Sequence, residues 1–234
     1  MVVGLSGGVD SALVAALLQE RGFDVLGVYL KFDAGNAAGV ADACAWKEDI
    51  AICRRVAAHL DIAFHVVDAT AAYRTAVIEP FIAAYARGET PNPDILCNRW
   101  VKFDLLLAEA ERLGATQIAT GHYARVAYTT PHTDVIASRA KQSRELCTEA
   151  ERSPSDAIDG DHGDVALLRG TDHEKDQSYF LALLTQEQLR ACVFPIGEYT
   201  KAQVRAEAER RGLPNWDRRS TRGVCFLGPV DVPI

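Results

Sequence analysis

A glycine-rich turn stands between an apolar segment and a helix-forming segment at the start of the chain. Residues 1–5 read MVVGL, and residues 6–11 read SGGVDS. Glycines carry no Cβ, so backbone N–H groups can close on an anion, and a helix N-terminus adds unpaired N–H donors and positive potential. Ser6 and Ser11 add hydroxyl donors, whereas Asp10 would repel a phosphate unless a metal such as Mg²⁺ lay between them. The pattern predicts a strand–loop–helix unit that binds phosphate, and the lack of a lysine in it excludes the G-x-x-x-x-G-K-[ST] loop.

Composition and cysteine spacing narrow the class of protein. The chain has 234 residues, 48% hydrophobic and 24% charged, which is typical of a globular domain with a sizeable core. No apolar run approaches the roughly 20 residues that span a bilayer, and no cleavable signal precedes the first strand, so we expect a cytoplasmic protein without a membrane anchor. No two cysteines form a C-x-x-C pair, which argues against a zinc or iron–sulfur site, and we predict no metal ligands. The six are Cys44, Cys53, Cys97, Cys147, Cys192 and Cys225.

Alternating apolar and amphipathic segments predict an α/β fold. Segments predicted to be strands lie at 1–3, 24–32, 62–67, 116–120 and 165–169, and 24–32 is nearly all apolar, as in a buried parallel strand. Segments with helical spacing lie at 11–21, 47–60, 73–87, 103–113, 176–184, 186–192 and 201–211. Such alternation predicts a doubly wound parallel sheet, in which ligands bind at the carboxyl ends of the strands. The loops after Leu5, Leu30 and Thr120 should therefore line one crevice.

Two breaks in the pattern suggest the domain organisation. Residues 129–163 are polar with little periodicity, which predicts a disordered surface insertion. We expect residues 1–195 to form a nucleotide-binding catalytic domain around this insertion. Residues 196–234 would begin a small second domain.

A cysteine segment flanked by prolines occupies residues 91–98, PNPDILCN. Its prolines favour an extended backbone. Asp94 and Cys97 are three residues apart, so one helical turn would place them on the same face. A cysteine reacts as the thiolate, and a neighbouring carboxylate could move protons. The alternative is a buried structural cysteine beside a turn.

A second cysteine segment lies near the end of the sequence, where residues 220–228 read STRGVCFLG. Arg222 could hold Cys225 as a thiolate and also contact a phosphate backbone, although a structural thiol in a strand is the alternative. The net charge of the chain is −7, but the stretch that leads to Cys225 is basic. Its basic residues are Lys201, Arg205, Arg210, Arg211, Arg218, Arg219 and Arg222. Such a run is typical either of a solvated helix face or of a nucleic-acid contact.

Taken together, these segments resemble the tRNA-specific 2-thiouridylases, members of the N-type ATP pyrophosphatase (PP-loop) superfamily. The resemblance runs from residue 1 to about residue 231, apart from the insertion. The matching motifs are SGGVDS at 6–11, TPNPDILCN at 90–98, ATGHY at 119–123, LLRG at 167–170, KDQSYFL at 175–181 and GVCFLG at 223–228. It implies an adenine nucleotide α-hydrolase-like, Rossmann-like PP-loop domain, followed by the start of a small second domain.

The resemblance also implies a reaction: sulfur transfer to the wobble uridine of the tRNAs for lysine, glutamate and glutamine. ATP, with Mg²⁺, would adenylate the C2 oxygen of the uridine. Cys225 would carry a persulfide delivered by a sulfur-donor protein, either a persulfide relay or a cysteine desulfurase. Cys97 would release that sulfur and form a disulfide with Cys225, while Asp94 would act as the general acid/base.

Binding residues follow from the same resemblance. Those for ATP are Gly4, Leu5, Ser6, Gly7, Gly8, Val9, Asp10, Ser11, Leu30 and Gly121. Those for tRNA are Asn92, Pro93 and Asp94 at the target base, and Lys175, Asp176 and Gln177 elsewhere.

The chain departs from the family pattern at three places. Ser220 stands where the family usually has an aspartate, which alters the charge around Cys225. The 129–163 insertion replaces a short hairpin. The sequence ends at Ile234, whereas family members continue for roughly another hundred residues, so we expect it to lack their β-barrel region.

Two other functions stay open on the sequence alone. One is a different ATP pyrophosphatase, such as an amide-forming synthetase, which would not need Cys97 and Cys225. The other is a protein that binds nucleotide or tRNA without turnover.

Overall fold

The computed structural model describes residues 1–32, 45–128 and 164–218. The predicted insertion at 129–163 and the catalytic candidate Cys225 lie outside the described residues. So do Cys44, Cys147 and Ser220.

A five-stranded sheet forms the centre of the protein. Its strands are β1 (Val2–Gly4), β2 (Leu26–Lys31), β3 (Ala63–Asp68), β4 (Ile118–Ala119) and β7 (Cys192–Val193). They are ordered β3-β2-β1-β4-β7, and each neighbouring pair is parallel. Val2 is aligned with Leu26 on one side of β1 and with Ile118 on the other. The doubly wound parallel sheet predicted from the sequence is therefore confirmed.

Helices connect these strands. Their bounds are α1 (Val9–Glu20), α2 (Ala45–Leu60), α3 (Thr70–Tyr73), α4 (Glu79–Ala86), α5 (Pro93–Cys97), α6 (Phe103–Arg112), α7 (Gln186–Arg190) and α8 (Lys201–Arg210). Two π-helical turns, Arg74–Ile78 and Asn98–Lys102, join α3 to α4 and α5 to α6. None of the described helices is long and apolar enough to cross a membrane.

Each face of the sheet carries its own apolar core. Successive side chains of a strand point to opposite faces, and the two valines of β1 follow this rule. Val3 packs in a cluster with residues of α1, α2 and α8, whereas Val2 packs in a cluster with residues of α5 and α6. Both valines are fully buried.

The structure departs from the predicted elements after residue 175. The helix predicted over 176–184 is present only as a short 3₁₀ turn at Ser178–Leu181. The Asp176 carboxylate accepts hydrogen bonds from the Gly170 N–H and from the hydroxyl and N–H of Ser178. Such side-chain bonds compete with helix formation.

The helix predicted over 186–192 ends early, at Arg190. Cys192 lies instead in β7, which pairs with β4 and completes the sheet. Pairing with a distant strand has overridden the local pattern, which cannot separate a short buried strand from a helix end.

The chain divides into two compact units. One contains Met1–Val126 and the chain from Leu167 onward, and the other is Ala127–Ala166. Two further strands, β5 (Ala124–Tyr128) and β6 (Val165–Arg169), form a separate two-stranded sheet. The domain boundary expected after residue 195 stays a prediction.

Candidate active site

The SGGVDS turn forms an open loop at the N-terminus of α1. Gly7 has φ +79°, a left-handed conformation that favours glycine. Gly8 is the N-cap residue, and no side chain caps the helix. The first N–H groups of a helix have no partner within the helix. The loop therefore presents backbone donors at the positive end of the helix dipole, as an anion site requires.

Two serines brace the loop from within. The Ser6 N–H donates to Ser11 Oγ at 3.1 Å, and the Ser11 hydroxyl donates to the Gly8 carbonyl at 3.1 Å. The Ser6 and Ser11 hydroxyls lie 3.2 Å apart. Ser11 is buried, whereas Ser6 is exposed. The Ser6 hydroxyl is thus accessible to a bound ligand, and Ser11 holds the loop in shape.

Asp10 is neutralised by a lysine from a distant helix. Lys201 Nζ lies 2.6 and 2.7 Å from the two carboxylate oxygens, and the Tyr123 hydroxyl donates to Asp10 Oδ1 at 2.8 Å. Burial, followed by the negative charge of Asp10, raises the pKa of Tyr123, so this phenol stays protonated. The sequence predicts a metal such as Mg²⁺ between Asp10 and a phosphate, and this stays a prediction; the structure shows the Lys201 ammonium paired with the carboxylate, which the sequence did not indicate.

The carbonyl of Gly7 is held from the other side of the loop. It accepts hydrogen bonds from Asn215 Nδ2 at 2.9 Å and from Arg218 Nη1 at 3.0 Å. Arg218 also pairs with Asp49 of α2 at 2.6 Å. Sequence reasoning missed Asn215 and Asp49, and it placed Arg218 only in a basic run.

Cys53 lies under the same loop and contacts the Gly7 N–H. It is 1% exposed, and burial raises the pKa of its thiol to about 12. The thiol is therefore protonated at neutral pH, and it is the buried structural cysteine that the sequence predicts by default.

The loops that follow β1 and β4 meet at this point. A Cβ added to Gly121 would lie 2.9 Å from the Ser11 nitrogen and 3.1 Å from the Asp10 carbonyl carbon. Only glycine allows so close an approach to the start of α1. Leu30 is buried near the end of β2, but the loop that follows it runs into residues 33–44, outside the described part of the chain.

The PNPDILCN segment is helical from Pro93 onward, although its prolines predict extended backbone. Pro93 is the first residue of α5, and Asn92 caps the helix by accepting the Asp94 N–H at 3.0 Å. Proline suits this position because the N–H it lacks would be unpaired there. The prediction of extended backbone is wrong from Pro93 onward and holds only before it, and α5 supplies the helical turn that contains both Asp94 and Cys97.

Cys97 is fully buried, at 0% exposure. It packs in the apolar cluster that includes Val101 and Phe103, on the face of the sheet opposite α1. Asp94 is partly exposed, and its backbone carbonyl accepts a hydrogen bond from Asn98 Nδ2 at 2.9 Å. The nucleophile role of Cys97 stays a prediction, as does its pairing with Cys225.

The KDQ segment divides into one exposed and two internally bonded residues. Lys175 is exposed. Gln177 exchanges hydrogen bonds with the Tyr123 backbone, its Oε1 accepting at 3.1 Å and its N–H donating at 3.0 Å. The Asp176 carboxylate accepts hydrogen bonds from Gly170 and Ser178. Asp176 and Gln177 therefore shape the protein around Tyr123, and their contact with tRNA stays a prediction.

An exposed tyrosine of the KDQSYFL motif, to which the sequence assigned no role, lies beside α5. Tyr179 is 53% exposed, and its ring lies 3.9 Å from that of Phe180. Burial of its remaining surface and the charges of Asp94 and Asp176 raise the pKa of Tyr179. This places an aromatic surface near Asp94.

The basic run from residue 201 is used largely within the protein. Lys201 pairs with Asp10, Arg210 with Glu207, Arg211 with Glu20 and Glu207, and Arg218 with Asp49. The side chains of Lys201, Arg211 and Arg218 are mostly buried in these pairs, whereas Arg210 is 64% exposed and fits a solvated helix face. Arg219 and Arg222 lie outside the described residues.

His122 follows Gly121 and is partly buried, and it should make the stability of the fold depend on pH. Burial, aided by the charge of Lys102, lowers its pKa to about 3. Its Nδ1 lies 2.7 Å from Thr120 Oγ1. Below about pH 6.5 the unfolded chain binds a proton that the folded chain does not. The free energy of unfolding therefore decreases as the pH is lowered, by up to about 1.4 kcal/mol per pH unit.

Urea unfolding at pH 7 and pH 5 measures this effect. We expect the loss of unfolding free energy between the two pH values to be smaller in His122→Asn than in the unsubstituted protein. Equal losses would mean that His122 is not the group responsible.

Comparison with known proteins identifies the family. The family described as the tRNA methyl transferase HUP domain matches residues 1–229. The chain belongs to this family. Within the parts of the chain that the structure describes, this HUP domain has no group of three His, Cys, Asp or Glu side chains arranged to hold a metal ion.

Relatives of this HUP domain carry a consistent name. The chain is similar to the tRNA-specific 2-thiouridylase MnmA of Christiangramia forsetii, with 40% identity over 233 residues that cover 100% of this chain and 52% of the relative. The MnmA of Roseiflexus sp. is 43% identical over 228 residues, covering 97% and 57%. The MnmA of Akkermansia muciniphila is 40% identical over 230 residues, covering 98% and 55%. The chain spans about half the length of these relatives.

A solved structure is also similar to the HUP domain. It is the U34-tRNA thiolase NcsA from Methanococcus maripaludis, with a TM-score of 0.47 and 12% sequence identity. The match covers 91% of this chain and 56% of that chain.

Proposed function

We propose that this chain carries out the ATP-dependent transfer of sulfur to the wobble uridine of tRNA, giving 2-thiouridine. The observation that carries the proposal is the open SGGVDS loop at the uncapped N-terminus of α1, in a chain that is about 40% identical to named tRNA 2-thiouridylases. The acceptors proposed are the tRNAs for lysine, glutamate and glutamine. The proposed location is the cytoplasm, where these tRNAs are used.

The first step we propose is adenylation of the uridine. The triphosphate would lie against the N–H groups of residues 8–11, with the exposed Ser6 hydroxyl and the Lys201 ammonium beside it. Gly121 would allow the nucleotide to approach α1, and the backbone of Leu30 would contact the adenine. The uridine C2 oxygen attacks the α-phosphate, pyrophosphate leaves, and the oxygen becomes a leaving group. Mg²⁺ would enter as the partner of the ATP phosphates, with Gly4, Leu5, Val9 and Asp10 completing the proposed ATP site.

Sulfur transfer would follow. Cys225 carries a persulfide received from a sulfur-donor protein, either a relay protein or a cysteine desulfurase. The terminal sulfur attacks C2, and the Cys97 thiolate attacks the inner sulfur. A Cys97–Cys225 disulfide forms, AMP leaves, and an external thiol reductant later regenerates both cysteines. Asp94 would move the proton during this exchange.

The buried state of Cys97 sets a requirement for this step. For Cys97 to attack a persulfide on another segment, that segment must pack against the buried thiol, or α5 must shift when tRNA binds. The helix has only five residues and continues into a π-helical turn, a feature that is frequent at functional sites. Asn92, Pro93 and Asp94 at its start would meet the target base, with Lys175, Asp176 and Gln177 contacting the tRNA.

The products of ATP cleavage test this proposal. We expect pyrophosphate to form only when the chain is given ATP, Mg²⁺ and unmodified glutamate tRNA together. An amide-forming synthetase would show no dependence on tRNA, and a binding protein would release no pyrophosphate. Either of those results, or formation of ADP, would contradict the proposal.

A further inference from the structure

We infer that Asn215 and Arg218 are positioning residues that fix the peptide plane between Gly7 and Gly8, so that the Gly8 N–H faces the phosphate site. This inference rests on the proposed function, because it assigns the loop to ATP. Neither residue belongs to a motif that indicated ATP binding. Both follow α8, more than 200 residues from the loop in sequence.

The geometry of the peptide unit connects the two sides of the loop. In a trans peptide the C=O of one residue and the N–H of the next point in opposite directions, and no described peptide bond is cis. Asn215 and Arg218 both donate to the Gly7 carbonyl. The Gly8 N–H must therefore point away from them, and it donates a long hydrogen bond, 3.4 Å, to the exposed Ser6 hydroxyl. That side of the loop is open to a ligand.

This peptide plane needs restraint because glycines flank it. Rotating the plane by half a turn changes ψ of Gly7 and φ of Gly8, and glycine tolerates both changes. The rotated plane would turn a carbonyl oxygen, rather than an N–H, toward a bound phosphate. Two donors on the Gly7 carbonyl oppose that rotation.

Both donors are themselves held in place. Asn215 is 3% exposed. The second guanidinium nitrogen of Arg218 pairs with Asp49 at 2.6 Å, and the Tyr29 hydroxyl donates to the other carboxylate oxygen of Asp49 at 3.4 Å. The pair with Asp49 on α2 thus orients Arg218 Nη1 toward the Gly7 carbonyl. We call Asn215, Arg218 and Asp49 the loop clamp.

Affinity for a non-hydrolysable ATP analogue, measured by calorimetry without tRNA, tests the inference. We expect Arg218→Met and Asn215→Leu each to weaken binding by about tenfold or more. The matched control is Arg211→Met. Arg211 forms a two-pronged pair with Glu20 near the far end of α1, so its loss also removes an ion pair between α8 and that helix. The control should lower the melting temperature yet keep affinity within about twofold.

A second arm separates positioning from general support of the fold. Gly8 has φ −74°, which alanine adopts readily, whereas the rotated plane would require a positive φ there. Gly8→Ala should therefore restrain the plane by itself, and Arg218→Met should cost less affinity in the Gly8→Ala background than alone. This readout also applies if Asn215→Leu fails to fold.

Two results would overturn the inference. One is unchanged affinity in folded Arg218→Met and Asn215→Leu. The other is an equal loss from Arg218→Met in both Gly8 backgrounds, which would mean that Arg218 acts through its charge or through stability. If the unsubstituted protein does not bind the analogue, the proposed function fails first and the inference with it.

Discussion

Replacing Cys97 with serine is expected to abolish 2-thiouridine formation, by at least about a thousandfold. A serine hydroxyl is protonated at neutral pH and is a poor nucleophile toward sulfur, and it cannot form a disulfide with Cys225. ATP binding should persist, because Cys97 and the SGGVDS loop lie on opposite faces of the sheet. Mass spectrometry of digested tRNA gives the product, and calorimetry gives the nucleotide affinity.

Cys192→Ser is the matched control for this substitution. Cys192 is 1% exposed and packs in the same apolar cluster as Cys97, so the two changes place a hydroxyl in similar surroundings. Burial raises the pKa of Cys192, which leaves it an inert thiol. If Cys97→Ser forms as much 2-thiouridine as Cys192→Ser, Cys97 is a structural cysteine, which is the alternative that the sequence left open.

The second large effect is expected at Lys201. Lys201→Met should weaken ATP binding by about a hundredfold, because it removes the cation paired with the Asp10 carboxylate at the proposed triphosphate site. Its ammonium contacts both carboxylate oxygens, and its side chain is only 15% exposed. Calorimetry with a non-hydrolysable ATP analogue measures the change.

Lys47→Met provides the charge-matched control. Lys47 is an exposed residue of α2 whose ammonium lies over the Trp46 ring at 5.5 Å, so its removal changes the net charge and one surface contact with that ring. We expect its affinity for the analogue to stay within about twofold. If Lys47→Met and Lys201→Met weaken binding equally, general electrostatics rather than the Asp10 pair controls affinity.

Local features of the sequence were sufficient to predict the framework of the site. The nearly continuous apolar run at 24–32 predicted the buried strand β2, and the glycines before α1 predicted the open loop. Gly121 followed from its motif, and the structure shows why a side chain would not fit there. These features depend on residues close together in the chain, which is why sequence reasoning reaches them.

The sequence did not predict contacts between segments that are far apart in the chain. Lys201 reaches Asp10 across 191 residues, and Asn215 reaches Gly7 across 208. In the sequence, Lys201 and Arg218 looked like members of a solvated or RNA-binding basic run. Their partners are set by the packing of α8 on α1, which no spacing pattern encodes. The 3₁₀ turn at Ser178–Leu181 was missed for a related reason, since Asp176 bonds to Gly170 rather than supporting a helix.

Formation of 2-thiouridine itself tests the central claim most directly. The reaction contains this chain, ATP, Mg²⁺, a persulfide source and unmodified glutamate tRNA, beside a Cys225→Ser control, and digested nucleosides are read by mass spectrometry. The account predicts a uridine whose mass reflects exchange of one oxygen for sulfur, absent from the control. An unmodified uridine with ATP bound, or a mass gain that reflects an added methyl group, would contradict it.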